Sequence, residues 1–123
     1  MNFSGEDDNM DELSTELTQD SDDTWRLKII GSVGPKTNHL MWSVDSSASL
    51  LRKLLASNAN KLLIDLTEAE RFDSHGLRLL LGAQKEFTKE NVEIILRNPN
   101  PHLNRLFQIM KFDKAFVIEF SND

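Results

Sequence analysis

The chain has 123 residues and no cysteine. Disulfide frameworks, zinc–thiolate centres and thiol nucleophiles are therefore excluded. Tyrosine is absent too, and no run of Lys or Arg is interleaved with aromatics. A charged nucleic-acid-binding stripe is not expected. No window approaches the ~18 consecutive apolar residues of a membrane span. The first residues are acidic, with no basic segment leading into an apolar one, so a cytoplasmic location is expected. Neither a Gly-x-Gly-x-x-Gly fingerprint nor a phosphate loop ending in Gly-Lys-Ser/Thr occurs, and no cofactor is expected. His39, His75 and His102 stand far apart, without a His-Glu-x-x-His pattern. No metal site is expected from them.

What is present is charge, unevenly placed. Residues 1–23 hold nine acids and no Lys or Arg, whereas the remainder holds the other 11 acids and all 14 basic residues. So acidic and apolar-poor a stretch buries too little surface to offset the entropy of ordering it. Residues 1–23 are expected to form a flexible acidic tail, with at most an amphipathic turn around Leu13 and Leu17. Such a tail is either a solvated extension or an arm facing the domain or a partner. Residues 24–123 are expected to form one domain.

Within that domain Trp25–Ile30 alternates apolar and basic residues, as a half-buried strand does. Gly31–Pro35 signals a turn, and a second strand is expected over 40–44. Asp45, Ser46 and Ser47 are N-cap candidates for a helix carrying Leu50, Leu51, Leu54 and Leu55. Lys61–Leu66 is a short apolar run consistent with a buried strand. A polar connection over 67–76 leads to a helix with Leu77, Leu80, Leu81 and Phe87 on one face. Gly82 lies inside that helix, where it would permit close backbone packing. Val92–Leu96 is a further strand. Asn100 and Pro101 suit the cap and first position of a third helix, lined by Leu103, Leu106, Phe107 and Met110. Ala115–Ile118 closes the domain as a strand. Alternating strands and helices in the later half predict parallel pairing with right-handed crossovers. The expected class is α/β, a small mixed sheet of about four to five strands packed with helices.

Asp73-Ser74-His75 has the residue types of a hydrolase triad, but contiguity argues against one. The imidazole must lie between hydroxyl and carboxylate, and no Gly-x-Ser-x-Gly elbow surrounds it. No enzymatic activity is expected. At the start of a helix the same residues have another use. The first backbone N–H groups lack intrahelical partners, and Asp73 or Ser74 can accept from them as N-cap. A phosphate on Ser74 would bring about −1.5 to −2 charges to the positive end of a helix.

The segment Lys61–Ile118 resembles the STAS domain of bacterial anti-sigma factor antagonists. The resemblance rests on Leu62-Leu63-Ile64-Asp65-Leu66, Phe72-Asp73-Ser74-His75-Gly76-Leu77 and Val92-Glu93-Ile94-Ile95-Leu96. It extends through Leu103, Leu106, Phe107 and Phe112–Ile118. It implies a protein-binding module in a partner-switching pathway. The implied partners are an anti-sigma factor that is also a serine kinase, acting on Ser74, and a serine phosphatase that reverses it. Asp65, Asp73, Ser74, His75 and Gly76 are implied at the docking face, with Asp73 orienting Ser74 and Asp65 at the adjoining strand end. His75 stands where many relatives have a small hydroxyl residue. Lys111 replaces a glycine that often follows the third helix, so an end without a left-handed cap is expected there. Arg71 is a candidate phosphate partner. The alternatives are a non-phosphorylated scaffold or transport-accessory subunit, and a small-ligand sensor for nucleotides using the crevice near the 73–77 turn.

Overall fold

The computed structural model describes residues 13–33 and 44–121. Its elements run β1 (Leu13–Gln19), β2 (Thr24–Val33), α1 (Val44–Ala56), β3 (Lys61–Phe72), α2 (Ser74–Lys89), β4 (Glu93–Arg97), α3 (Pro101–Ile109), α4 (Phe112–Ala115) and β5 (Val117–Glu119). The five strands form one sheet in the order β1-β2-β3-β4-β5. β1 is antiparallel to β2, and all later neighbours are parallel. This is the expected mixed α/β sheet. Three successive crossovers step in one direction across it. Right-handed connections of that kind place their helices on one face and leave the other without them.

The tail expectation needs correcting for residues 13–23. Leu13–Gln19 is an edge strand, its Leu17 opposite Leu27 and packed against the core. Leu13, Thr15 and Leu17 alternate with Ser14, Glu16 and Thr18, a strand period that the acidic composition masked. The acids that follow build the turn. Asp20 takes a bidentate contact from Arg26 (Nε 3.1 Å, Nη2 3.0 Å), and Asp23 accepts from the Ser21 and Thr24 hydroxyls. Residues 1–12 lie outside the described residues. So does the strand expected over 40–44, except that Val44 begins α1. Asp45–Ser47 consequently fall inside the first turn of α1 rather than before it.

Leu27, Ile29, Leu62, Ile64, Leu66, Ile94 and Leu96 point from the sheet into one core with Leu54, Leu77, Leu80, Phe87, Leu103 and Phe107. Burying each such side chain contributes about 1.5–3 kcal/mol. An unexpected helical turn, α4, follows α3. Phe112 stacks on Phe107 with ring centroids 5.5 Å apart and meets Phe116 at 5.3 Å. That aromatic column folds the chain back before β5, which starts at Val117 rather than Ala115.

The helix-free face carries two rows across all five strands. One is Glu16–Lys28–Asp65–Arg97–Glu119, alternating in sign from strand to strand. The other is Thr18–Arg26–Leu63–Ile95–Val117. Leu63 and Ile95 are buried yet lie outside the main core cluster. Opposite charges on facing positions stabilise a sheet modestly, by roughly 0.2–1 kcal/mol a pair.

Candidate functional site

β3 is longer than its apolar run. It continues through Thr67–Phe72, so most of the expected polar connection is strand. β4 stops at Arg97, opposite Asp65. Beyond that point, among the described residues, β3 has β2 alone as a strand partner, with Gly31 opposite Ala69 and Val33 opposite Phe72. Gly31, at φ 100°, sits where the register shifts, a bulge geometry that glycine adopts without strain. The other edge of β3 is served by side chains. Asn100 Nδ2 donates to the carbonyls of Ala69 (3.1 Å) and Glu70 (3.2 Å), and Asn98 Nδ2 donates to Thr67 Oγ1 (3.2 Å). Asn100 Oδ1 meanwhile caps α3 by accepting from Leu103 N–H at 2.8 Å, with Pro101 as the first helical residue. One amide thus ties the start of α3 to the strand that delivers the site.

At the end of β3 the chain turns sharply into α2. Asp73 N–H donates to the Val33 carbonyl at 2.8 Å. The Asp73 carboxylate then accepts from Gly76 N–H at 2.7 Å and caps α2. Of the two cap candidates, Asp73 is the one used. Ser74 becomes the first residue of the helix and is exposed, while Gly76 and Leu77 are buried. A Cβ on Gly76 would lie 2.7 Å from Val33 Cγ1 and 3.2 Å from Asp73 Oδ1. Glycine is therefore required for α2 to approach the end of β2. Asp73, Ser74 and Gly76 lie together at the start of α2, backed by Val33. His75 follows Ser74 in α2. Arg71, exposed on β3, lies three residues before Ser74.

Asp65 is not part of this cluster. It sits seven residues before the end of β3, on the order of 20 Å away at ~3.3 Å per residue. The expected position at the adjoining strand end is thus corrected, because β3 runs on past the apolar segment. Asp65 is buried and accepts from Thr67 Oγ1 (2.6 Å), Thr67 N–H (3.0 Å) and Arg26 Nη1 (2.9 Å). Burial pushes its carboxyl up, but the Thr67 bonds and Arg26 together hold it below the usual carboxylate value. It binds the sheet's charged row together.

Two further expectations change. Gly82 meets nothing within 4 Å of a built Cβ and is exposed, so it serves no packing in this fold. Lys111 adopts φ 61°, and its N–H donates to the Gln108 carbonyl at 3.1 Å. The left-handed end of α3 forms after all, on a lysine. Val33, which backs Gly76, was not legible as a site residue because its neighbours are distant in sequence. A groove of about 420 Å³, lined by Gln84, Thr88, Val92, Lys114 and Phe116 among others, lies at the C-terminal half of α2, away from the 73–77 turn. Among the described residues, no helix is long and apolar enough to cross a membrane, and no three His, Asp or Glu side chains are grouped to hold a metal.

Solved structures share this fold. SpoIIAA in its unphosphorylated form, an anti-sigma factor antagonist, superposes with a TM-score of 0.70 at 16% identity, over 89% of this chain and 90% of that one. SpoIIAA of Bacillus in its phosphorylated form gives 0.66 at 16% identity, over 89% and 93%. An anti-sigma factor antagonist from Mycobacterium paratuberculosis gives 0.62 at 21% identity, over 88% and 86%. No curated protein sequence matches the chain. The STAS domain family matches residues 12–123, which takes in every described strand and helix, and the chain accordingly belongs to the STAS domain family.

Proposed function

We propose that this STAS domain is a phosphorylation-controlled protein-binding module, an anti-sigma factor antagonist in a partner-switching pathway. In this reading a serine kinase that is also an anti-sigma factor binds the unmodified domain and phosphorylates Ser74. A serine phosphatase restores the hydroxyl. The domain performs no chemistry of its own.

The observation that carries this reading is the placement of Ser74. It is exposed at the first position of α2, while the bonds that hold the turn belong to its neighbours. Asp73 to Val33, Asp73 to Gly76 and the Gly76–Val33 contact all lie behind it. A group added to Ser74 therefore breaks none of them. The helix start also favours the added negative charge, since its unpaired N–H groups and aligned dipoles are positive there. The fold survives, and only the surface offered to a partner changes.

The test is a comparison of immobilised wild-type, Ser74→Ala and Ser74→Asp chains exposed to lysate of the native cells. Wild type and Ser74→Ala should retain an ATP-binding serine kinase that Ser74→Asp loses. Retention of the same proteins by all three chains would contradict the switch.

A further inference from the structure

Three cations on the strands are paired with acids. Arg26 pairs with Asp20 and Asp65, Lys28 with Glu68, and Arg97 with Glu119. The outer side of α2 is different. Leu77, Leu80, Ala83 and Phe87 form its buried stripe, and Ser74, Arg78, Gly82, Lys85, Glu86 and Lys89 are among its exposed residues, with Glu86 paired to Lys89 at 3.3 Å. Ser74, Arg78 and Gly82 follow one another at four-residue intervals, so they stand in one row along the helix, and Lys85 continues it three residues on. Among the described residues neither Arg78 nor Lys85 forms an ion pair.

Gly82 is the second observation. Glycine is among the poorest residues for a helix interior. Here no atom outside its own helix segment comes within 4 Å of a built Cβ. The fold makes no use of its small size. What the glycine does create is a stretch of bare backbone between Arg78 and Lys85, with Glu86 to one side held by Lys89, where another chain can come close.

We propose that the Ser74–Arg78–Gly82–Lys85 row docks an acidic segment of a protein partner. Small residues of that segment lie against Gly82, and its carboxylates reach Arg78 and Lys85. The proposal deepens the Ser74 reading, on which it rests for the location of the docking face, by naming the chemistry of what docks. It also gives the switch a local cause. A phosphate on Ser74 stands one turn from Arg78, the spacing at which opposite charges pair along a helix. It takes that arginine from the partner and repels the incoming carboxylates.

The experiment uses the full, unphosphorylated chain labelled with ¹⁵N and a synthetic helical peptide of Glu, Ala and Leu as probe. A peptide with Gln in place of Glu is the control. Shift changes should follow residues 74–89, and the Gln peptide should bind far more weakly. Gly82→Leu should weaken binding at least about tenfold, equivalent to ~1.4 kcal/mol. Arg78→Gln with Lys85→Gln should do the same. Gly82→Ala, which the open space accommodates, should raise the thermal midpoint yet still weaken the peptide several-fold. Shift changes centred elsewhere, equal binding of the Gln peptide, or undiminished binding by Gly82→Leu and Gly82→Ala would each overturn the proposal. The chain carries no phosphate in this experiment. A negative result therefore speaks against the docking chemistry alone, and failure to find phosphate on Ser74 leaves it standing.

Discussion

Val33 and Gly76 touch so closely that a single methyl group would not fit between them: a Cβ on Gly76 falls 2.7 Å from Val33 Cγ1. The end of β2 thereby sets how deeply the first turn of α2 can sit. Its depth leaves Ser74 exposed while Gly76 and Leu77 are buried.

Two glycines of the same helix should therefore respond in opposite directions to one change. Gly76→Ala gains helix propensity but overpacks the turn, and a net loss of about 1–2 kcal/mol is expected. Gly82→Ala meets open space and should gain about 1 kcal/mol. Urea denaturation of both variants checks the pair, and equal signs would contradict the packing described.

Asp73→Ala removes the cap without touching the core. A cost of about 0.5–2 kcal/mol is expected. Asp73→Asn should recover most of it, since an amide oxygen also accepts the Gly76 N–H. Ser74→Asp, by contrast, should hold or slightly raise stability, because a negative charge at the first turn is favourable. Thermal unfolding of the three variants separates the roles of neighbouring residues.

Asp65 should govern part of the acid limb. Its folded-state carboxyl lies below the ordinary value of 3.8, held there against burial by Thr67 and Arg26. The unfolded chain therefore binds the proton more readily. The associated stability is full above the ordinary value and is lost as pH falls through the folded one. Asp65→Asn should flatten the decline in unfolding free energy below about pH 5 and lower stability near neutrality by roughly 1–3 kcal/mol. An unchanged acid limb would show that the Arg26–Asp65–Thr67 cluster does not hold in solution.

Much of this architecture was legible beforehand, for local reasons. Asp73, Asn100 and Pro101 announce helix starts through short-range chemistry, and α2 and α3 begin where those residues place them. Ser74 was likewise legible as the residue at the head of α2. The misses have other causes. β1 was hidden because nine acids in residues 1–23 outweighed a seven-residue alternation. Asp20 is in fact paired with Arg26, and Asp23 accepts hydrogen bonds from the Ser21 and Thr24 hydroxyls. The extension of β3 over polar residues depends on Asn98 and Asn100, some thirty positions away. Asp65 moved out of the site for that reason. Long-range pairing decided how far β3 runs and where Asp65 lies, and no local period records it, whereas the period of β1 was present but outweighed.

Lys111 offers a test of one such departure. A lysine at φ 61° bears a steric cost of about 1–2 kcal/mol that glycine avoids. Lys111→Gly should stabilise the domain by up to about 1 kcal/mol after the greater freedom of glycine in the unfolded chain is subtracted. Calorimetry reads this directly, and a destabilised variant would indicate that the lysine side chain makes a contribution larger than the strain.

The proposed switch turns on which hydroxyl receives phosphate. Site-resolved mass spectrometry of the intact chain, after incubation with ATP and the serine kinase it captures from its own cells, decides this. A single phosphate on Ser74, absent from Ser74→Ala, is the predicted result. Phosphate on a different residue of the wild-type chain, with Ser74 unmodified, would contradict it.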